Sequence, residues 1–429
     1  MYADLHNHLY GSISPGLLFH LGKKNPNPRW KLFIESYEAC YGKKINPSSF
    51  FDEFQNPKNF EEIYLFREKA PFSHFQSKFN LIIALSKFDK QEIYEVARQV
   101  SKEQAEAKVS YGEYRIMISK EDTKAMYIDK LIAMAEGFLH AEQELGKDRN
   151  NAKIVVSLHR DGKFETHYDW IKDQMEKNSL LRESIVGLDF CYIEEGYPPK
   201  DKEFFFDLVL RDNKAYSRSA LALLVHVGES FFDKTPITAV RWVKETADFG
   251  AHRLGHALVL GLPGDSFLGQ MRLENAKEWS LTANYLHSIW EELRSFGALP
   301  SPKVLQIPVN EDKVEISWNN DLSKIHDAFR FYVLSHLAKK GVVIETCPTS
   351  NYLIGGLPNR SAHPVKVFFE SGVPITIGTD DPGLLDTSME REFEWAEKAG
   401  SSKIDLEKIK KDSFSYRSGL LSGREKGVD

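Results

Sequence analysis

Cysteine is scarce in this sequence, and long apolar runs are missing from it. Cys40, Cys191 and Cys347 are the three cysteines among 429 residues, and no two of them form a CxxC pair. This excludes a disulfide-rich scaffold and favours a reducing compartment. No run of 18 apolar residues occurs, and the first residues (MYADLHNH) lack a charged stretch followed by an apolar one. We therefore expect a cytoplasmic protein that does not span a membrane.

The sequence also lacks a large excess of positive or negative charge. The chain has 56 basic and 62 acidic residues, which give a net charge of −6. This balance argues against nucleic acid or a membrane surface as a partner. Because 42% of the residues are hydrophobic, a large core is available. We expect one domain over residues 1–429, since a β/α barrel with insertions fits this length. We expect a small-molecule partner; the composition does not indicate an oligomeric state.

Eight short apolar segments are typical of buried parallel strands, because they lack the alternation of half-exposed strands. They are residues 2–5, 111–118, 153–159, 185–190, 221–226, 253–256, 342–347 and 374–379. Helix-like segments lie between most of them, for example 91–108, 127–145 and 235–249. This alternation predicts an α/β protein, either a barrel or a doubly wound sheet.

Two connections between these segments are unusually long. Residues 10–109 follow the first strand and contain helix-like stretches. Residues 261–322 follow the sixth, with a predicted amphipathic helix at 272–295 and a predicted hairpin at 304–318 that turns at 310–313. In a β/α barrel both would leave from the C-terminal face, so both are candidate lids. For 261–322, a packing or interaction insertion at the rim is the alternative.

Histidines end three of the predicted strands. His6 and His8 are two residues apart, so a strand points both the same way, and two adjacent imidazoles make half of a metal site. A hydrogen-bonded pair of loop histidines is the ordinary alternative. His226 ends a very apolar segment, where an unsatisfied imidazole is costly. His256, taken alone, is typical of a satisfied core histidine.

Acidic residues follow two of the strands. Gly228 permits a tight turn that aims Glu229 back towards the strand ends, although an acid is also common at a helix start. Asp380 and Asp381 belong to an Asp-Asp-Pro-Gly run, which is ordinary turn chemistry. Adjacent carboxylates nevertheless repel unless a cation or a proton donor is near. Because His and Asp end so many strands, we predict one site at the C-terminal end of the sheet.

Taken together, these motifs resemble those of the adenosine deaminase family of the amidohydrolase superfamily. The resemblance covers residues 2 to about 420, apart from the 261–322 insertion. The matching segments, in the family's order, are 4–12 (DLHNHLYGS), 226–229 (HVGE), 253–256 (RLGH), 347–351 (CPTSN), 363–364 (HP) and 379–382 (TDDP). The resemblance implies a TIM (β/α)8 barrel with a helical excursion after strand 1 and a large insertion after strand 6.

The resemblance implies a metal centre. His6, His8, His226 and Asp380 would bind one Zn²⁺ per chain, with water in the open position. A binuclear relative would need a bridging lysine at the end of the fourth strand, and residues 185–192 (IVGLDFCY) offer none. We therefore expect a single zinc ion.

The resemblance also implies catalytic roles. His256 would orient and deprotonate the water, and Glu229 would protonate the purine ring nitrogen beside the amino-bearing carbon. Asp381 would hydrogen-bond another purine nitrogen. Such proton transfers typically contribute on the order of 10² to 10⁴ in rate. Glu229 must then have a raised pKa, which burial can supply.

Three departures from the family pattern concern the substrate side. Tyr10 stands where adenosine-specific members usually have an acid that contacts the sugar, and Tyr192 stands where they usually have glycine. Ala257 replaces the last glycine of the RxGHG motif. We therefore add Tyr10 and Tyr192 to Glu229 and Asp381 as candidate substrate contacts. The alternative is that both tyrosines are ordinary rim aromatics.

The leading hypothesis is hydrolytic deamination of adenosine or a related 6-aminopurine nucleoside, with release of ammonia. One alternative keeps the mechanism but changes the substrate to another aminopurine or a nucleotide. The insertion contains four basic residues for binding a phosphate, although such charges more often form a solvated surface: Arg272, Lys277, Arg294 and Lys303. The other alternative is a catalytically silent purine-binding protein.

Overall fold

The computed structural model describes residues 1–47, 49–53, 56–306, 312–355, 357 and 359–425. The strands are β1 (Tyr2–His8), β2 (Val109–Met117), β3 (Asn151–Ser157), β4 (Ile185–Phe190), β5 (Ala222–Val227), β6 (Arg253–His256), β7 (Met271–Asn275), β8 (Lys313–Ser317), β9 (Val343–Thr346) and β10 (Ile375–Ile377).

The α-helices lie mostly between the strands. They are α1 (Pro15–Lys24), α2 (Trp30–Tyr41), α3 (Phe50–Glu53), α4 (Pro57–Tyr64), α5 (Phe72–Leu85), α6 (Lys90–Glu106), α7 (Lys124–Leu145), α8 (Phe164–Lys177), α9 (Ser179–Ser184), α10 (Glu203–Ala215), α11 (Pro236–Asp248), α12 (Ala276–Ser288), α13 (Trp290–Leu293), α14 (Asn320–Lys340), α15 (Pro348–Leu353), α16 (Val365–Glu370), α17 (Met389–Lys398), α18 (Lys403–Asp412) and α19 (Ser418–Leu421). Among the described residues, no helix is both long and apolar enough to cross a membrane.

Eight parallel strands form a β/α barrel. Their order is β1-β2-β3-β4-β5-β6-β9-β10, so each strand pairs with the next barrel strand along the chain. The sheet closes through a parallel bridge between Asn7 of β1 and Asp380, which follows β10. The prediction of a TIM (β/α)8 barrel is confirmed, and each of the eight predicted strands is present within a few residues of its expected bounds. The apolar composition of these segments was therefore sufficient to locate the eight barrel strands in the sequence.

The insertion after β6 differs from its predicted secondary structure. The predicted helix at 272–295 begins instead as strand β7, and α12 follows because the Asn275 side chain accepts the backbone N–H groups of Lys277 and Glu278 as an N-cap. The predicted hairpin has no strand at residues 304–305, which belong to a short 3-10 helix, and β8 pairs antiparallel with β7; residues 307–309 of its first arm lie outside the described residues. Part of its predicted turn, residues 310–311, lies outside the described residues.

The insertion packs on outer helices of the barrel. Thr282 and Glu278 of α12 bond to Arg241 of α11, and the ring of Phe267 lies against His326 of α14. Phe267 also contacts Phe231, which follows the site region of β5. These contacts favour the packing alternative, with one edge near the barrel mouth; the role of residues 261–322 as a lid stays a prediction.

A buried ionic network crosses the barrel interior. Arg253 of β6 bonds to Glu113 of β2 and to Glu345 of β9, and Arg115 of β2 bonds to Glu345. These four side chains are at most 1% exposed. Because β2 is not a sheet neighbour of β6 or β9, the bonds must pass through the inside of the barrel. Glu113 also accepts the backbone N–H and hydroxyl of Ser418, which ties the C-terminal segment to the barrel.

We predict that Arg253→Met lowers the free energy of unfolding by about 3–5 kcal/mol, because two buried carboxylates lose their shared cation. Urea denaturation followed by circular dichroism measures this. Arg98→Met is the matched control, since Arg98 pairs with Glu144 at the surface, where solvent screens the pair, and it should change stability much less. A loss no larger than that of the control would contradict the prediction.

Candidate metal centre and active site

Four predicted metal ligands converge at the C-terminal end of the barrel. His6 and His8 lie on β1, His226 lies on β5, and Asp380 follows β10. One ligand atom from each lies within 4.8 Å of the others. The Nε2 atoms of His6 and His8 lie 3.4 and 3.3 Å from Asp380 Oδ1. Side chains from three strands therefore face one point.

The chemistry of this group fits a metal ion. The Nε2 atoms of His6 and His226 are buried and have no hydrogen-bond partner among the described residues. Buried polar atoms in native proteins nearly always have a partner, so two that face the same point need one. Three imidazoles and one carboxylate are ligands that Zn²⁺ accepts.

The other ring nitrogens of two ligands are held by buried carboxylates. Nδ1 of His6 lies 2.7 Å from Glu345 Oε2, and Nδ1 of His226 lies 3.1 Å from Asp189 Oδ1. A carboxylate accepts, so each imidazole donates from Nδ1 and leaves Nε2 free for a metal. Neither Glu345 nor Asp189 was predicted from the sequence to support the site. An acid within an otherwise apolar strand was the signal that could have revealed both.

Two residues at this end of the barrel have unusual backbones. Asp380 has φ 62° and His256 has φ 63°, in the left-handed region that non-glycine residues seldom adopt. Asp380 is held there because its N–H donates to the carbonyl of His6 and its carbonyl accepts the N–H of His8. Such conformations persist only where the surroundings determine them, and they concentrate at functional sites.

Glu229 lies beside the candidate metal ligands. Gly228 has φ 72°, which supplies the expected turn after β5. Glu229 Oε1 lies 3.5 Å from Nε2 of His256. Burial, with the Asp380 carboxylate adding to it, raises the pKa of Glu229 to about 8. A raised pKa is what the expected role of Glu229 as a proton donor requires, and that role stays a prediction.

Asp381 is buried beside the first loop. Its Oδ1 has no hydrogen-bond partner among the described residues, and burial raises the pKa of this carboxyl, with Asp380 and Glu229 adding to the effect. A Cβ on Gly11 would lie 1.6 Å from this oxygen, so only glycine fits there. The unsatisfied oxygen is available for a ligand, and the contact of Asp381 with a purine nitrogen stays a prediction.

The two candidate tyrosines lie in different surroundings. Tyr10 is 5% exposed; its hydroxyl donates to Glu92 and its ring stacks on Phe88. This position does not favour a contact with substrate, which stays a prediction. Tyr192 is 57% exposed and has φ 71°, and Ala257 has φ 45°. Both departures from the family's glycines therefore occupy backbone conformations that glycine adopts without strain.

We predict that Glu345→Gln weakens metal binding roughly 10- to 100-fold, because the partner that orients His6 loses its charge. Competition with a chromophoric chelator measures the affinity. Glu390→Gln, at the exposed Lys108 pair, is the control and should bind metal as the wild type does. Equal affinities for all three proteins would show that Glu345 does not support the site.

A family model and several curated proteins match this sequence. The sequence matches the family model described as adenosine deaminase over residues 2–261 and 323–426, so the unmatched residues coincide with the insertion. Adenosine deaminase of Edwardsiella ictaluri (strain 93-146) is 26% identical over 175 residues, which cover 39% of this chain and 46% of that protein. The first curated relatives are all matched over less than half of their own length.

Two solved structures share the fold. The N6-methyl-AMP deaminase of Arabidopsis thaliana is 16% identical, with a TM-score of 0.59 over 97% of this chain and 91% of that one. A zinc-bound amidohydrolase of Burkhoderia ambifaria is also 16% identical, with a TM-score of 0.56 over 97% of this chain and 85% of that one. Because the family model spans well over half of the sequence, the chain belongs to the adenosine deaminase family.

Proposed function

We propose that the protein is a zinc-dependent aminohydrolase that deaminates adenosine or a related 6-aminopurine nucleoside and releases ammonia. The observation that carries this proposal is the position of Glu229, a carboxyl with a raised pKa, beside three imidazoles and a carboxylate that fit one metal ion. Family membership and a zinc-bound structural neighbour support it.

Each group of the site has a task in this reaction. An aromatic amine leaves poorly, so attack on its ring carbon needs help from both sides. A Zn²⁺ held by His6, His8, His226 and Asp380 would acidify the attacking water. Glu229, protonated at neutral pH, would give its proton to the ring nitrogen beside the attacked carbon. Asp381 would orient the purine through its unsatisfied oxygen.

A nucleotide substrate is the second candidate, and the cations of the insertion offer it little support. Arg294 is exposed and pairs with Glu291, and Arg272 lies over the ring of Phe231. Arg272 is half-buried, and burial lowers its pKa. The support for a nucleotide substrate is a structural neighbour that is named as an N6-methyl-AMP deaminase.

We predict that Glu229→Gln lowers kcat for adenosine by about 10² to 10⁴, because the variant cannot give up a proton to the ring. Ammonia release measures the rate. Glu203→Gln, an exposed acid on α10, is the control and should retain wild-type kcat. Equal rates for Glu229→Gln and the wild type, or full activity after removal of bound metal, would contradict the proposed chemistry.

A substrate panel separates the remaining candidates. We expect kcat/KM for adenosine to exceed that for AMP and for adenine, since a nucleoside needs neither a phosphate site nor the loss of its sugar contacts. Purified protein, loaded with zinc, is assayed with all three. A preference for AMP would favour the nucleotide candidate, and tight purine binding with no turnover of any of them would favour the silent binding protein.

A further inference from the structure

A chain of hydrogen bonds leads from a backbone amide to His256. Its first link is the N–H of Val365, which donates to Nδ1 of His363 at 3.2 Å. A backbone amide can only donate, so Nδ1 of His363 must be the unprotonated nitrogen. Burial lowers the pKa of His363 to about 3, which keeps the ring neutral. The proton of His363 is therefore on Nε2.

The second link fixes the orientation of a buried amide. Nε2 of His363 lies 3.2 Å from Oδ1 of Asn351, and the backbone N–H of Cys347 donates to the same oxygen at 3.2 Å. Two independent donors thus meet Oδ1, so the side-chain amide cannot be rotated to exchange its oxygen and nitrogen. Asn351 is fully buried. Its Nδ2 group must face the other way.

The third link reaches the active site. Nδ2 of Asn351 lies 3.0 Å from Nδ1 of His256. Since an amide nitrogen only donates, Nδ1 of His256 must accept, and a proton on it would set two N–H groups head to head. The ring proton of His256 then lies on Nε2, which is 3.5 Å from Glu229 Oε1 and 3.9 Å from Asp380 Oδ2.

We propose that Asn351, oriented by His363 and the N–H of Cys347, is a positioning residue that holds His256 as its Nε2–H tautomer. In that form His256 has no lone pair directed at the reacting centre. It donates a hydrogen bond to the attacking oxygen, which keeps the orienting role that the family resemblance implied, but it does not take that oxygen's proton. The proton goes instead to the Asp380 carboxylate, whose Oδ2 lies 3.9 Å from Nε2 of His256. Only the identity of the attacking oxygen rests on the proposed function; the tautomer does not.

The tautomer is directly measurable. Protein labelled with 15N-histidine is examined by long-range 1H–15N NMR, with His256 identified by the signals missing from His256→Gln. We expect Nδ1 of His256 to be unprotonated and Nε2 to be protonated in the wild type. In Asn351→Asp, a carboxylate replaces the donor, so the proton should move to Nδ1. A wild-type ring protonated at Nδ1 overturns the proposal, whether or not the variant folds.

Steady-state kinetics of Asn351→Asp provide a second test of the His256 tautomer. Asn351→Asp turns His256 from a donor into an acceptor at Nε2, so kcat should fall on the order of 10²-fold with a smaller change in KM. If His256 instead acts as a base, the variant should keep or raise kcat, which would overturn the proposal. Ser350→Ala is the matched control, because the hydroxyl of Ser350 is buried without a partner among the described residues, and it should keep both the tautomer and the rate. If no aminopurine is turned over, the spectra still decide the tautomer.

Discussion

Two backbone hydrogen bonds close the barrel and, at the same time, bring together residues of the candidate metal centre. The N–H of Asp380 donates to the carbonyl of His6, and the N–H of His8 donates to the carbonyl of Asp380, each at 2.8 Å. These bonds hold the last strand against the first at the point where three of the four candidate ligands project. The left-handed backbone of Asp380 is the cost of this closure. The site therefore depends on the barrel being closed, and His226 completes it from β5.

Three buried histidines of the site are each fixed by a partner on another strand or helix. Glu345 holds His6, Asp189 holds His226, and Asn351 holds His256. The carboxylates leave Nε2 as a lone pair, whereas the amide leaves Nε2 as a donor. A carboxylate partner therefore leaves His6 and His226 able to bind a metal through Nε2, whereas an amide partner leaves His256 unable to do so. Glu345 also joins the site to the ionic network beneath it through Arg115 and Arg253.

The sequence was informative where a signal is local. Apolar segments that end in histidine or aspartate predicted the barrel strands, and the structure brings the side chains of the predicted ligands His6, His8, His226 and Asp380 together. Burial, which was expected to raise the pKa of Glu229, is the main cause of its shift. It was uninformative where a partner is distant. The pairing of β7 with β8 spans about forty residues that no hairpin signal marks.

The directions of individual side chains could not be predicted from the sequence either. Tyr10 follows a metal ligand by two residues, yet its hydroxyl is directed to Glu92, more than eighty positions away. The orientation of Asn351 depends on His363 and Cys347 together, and neither residue alone indicates it.

X-ray absorption spectroscopy of the zinc-loaded protein, combined with metal analysis, tests the central claim most directly. The account predicts one ion per chain, with nitrogen and oxygen ligands at about 2.0–2.2 Å and no sulfur. Cys347 lies in a neighbouring group of potential ligands with His256 and Asp380, so sulfur is a real alternative. A zinc–sulfur distance of about 2.3 Å, or two ions per chain, would contradict the account.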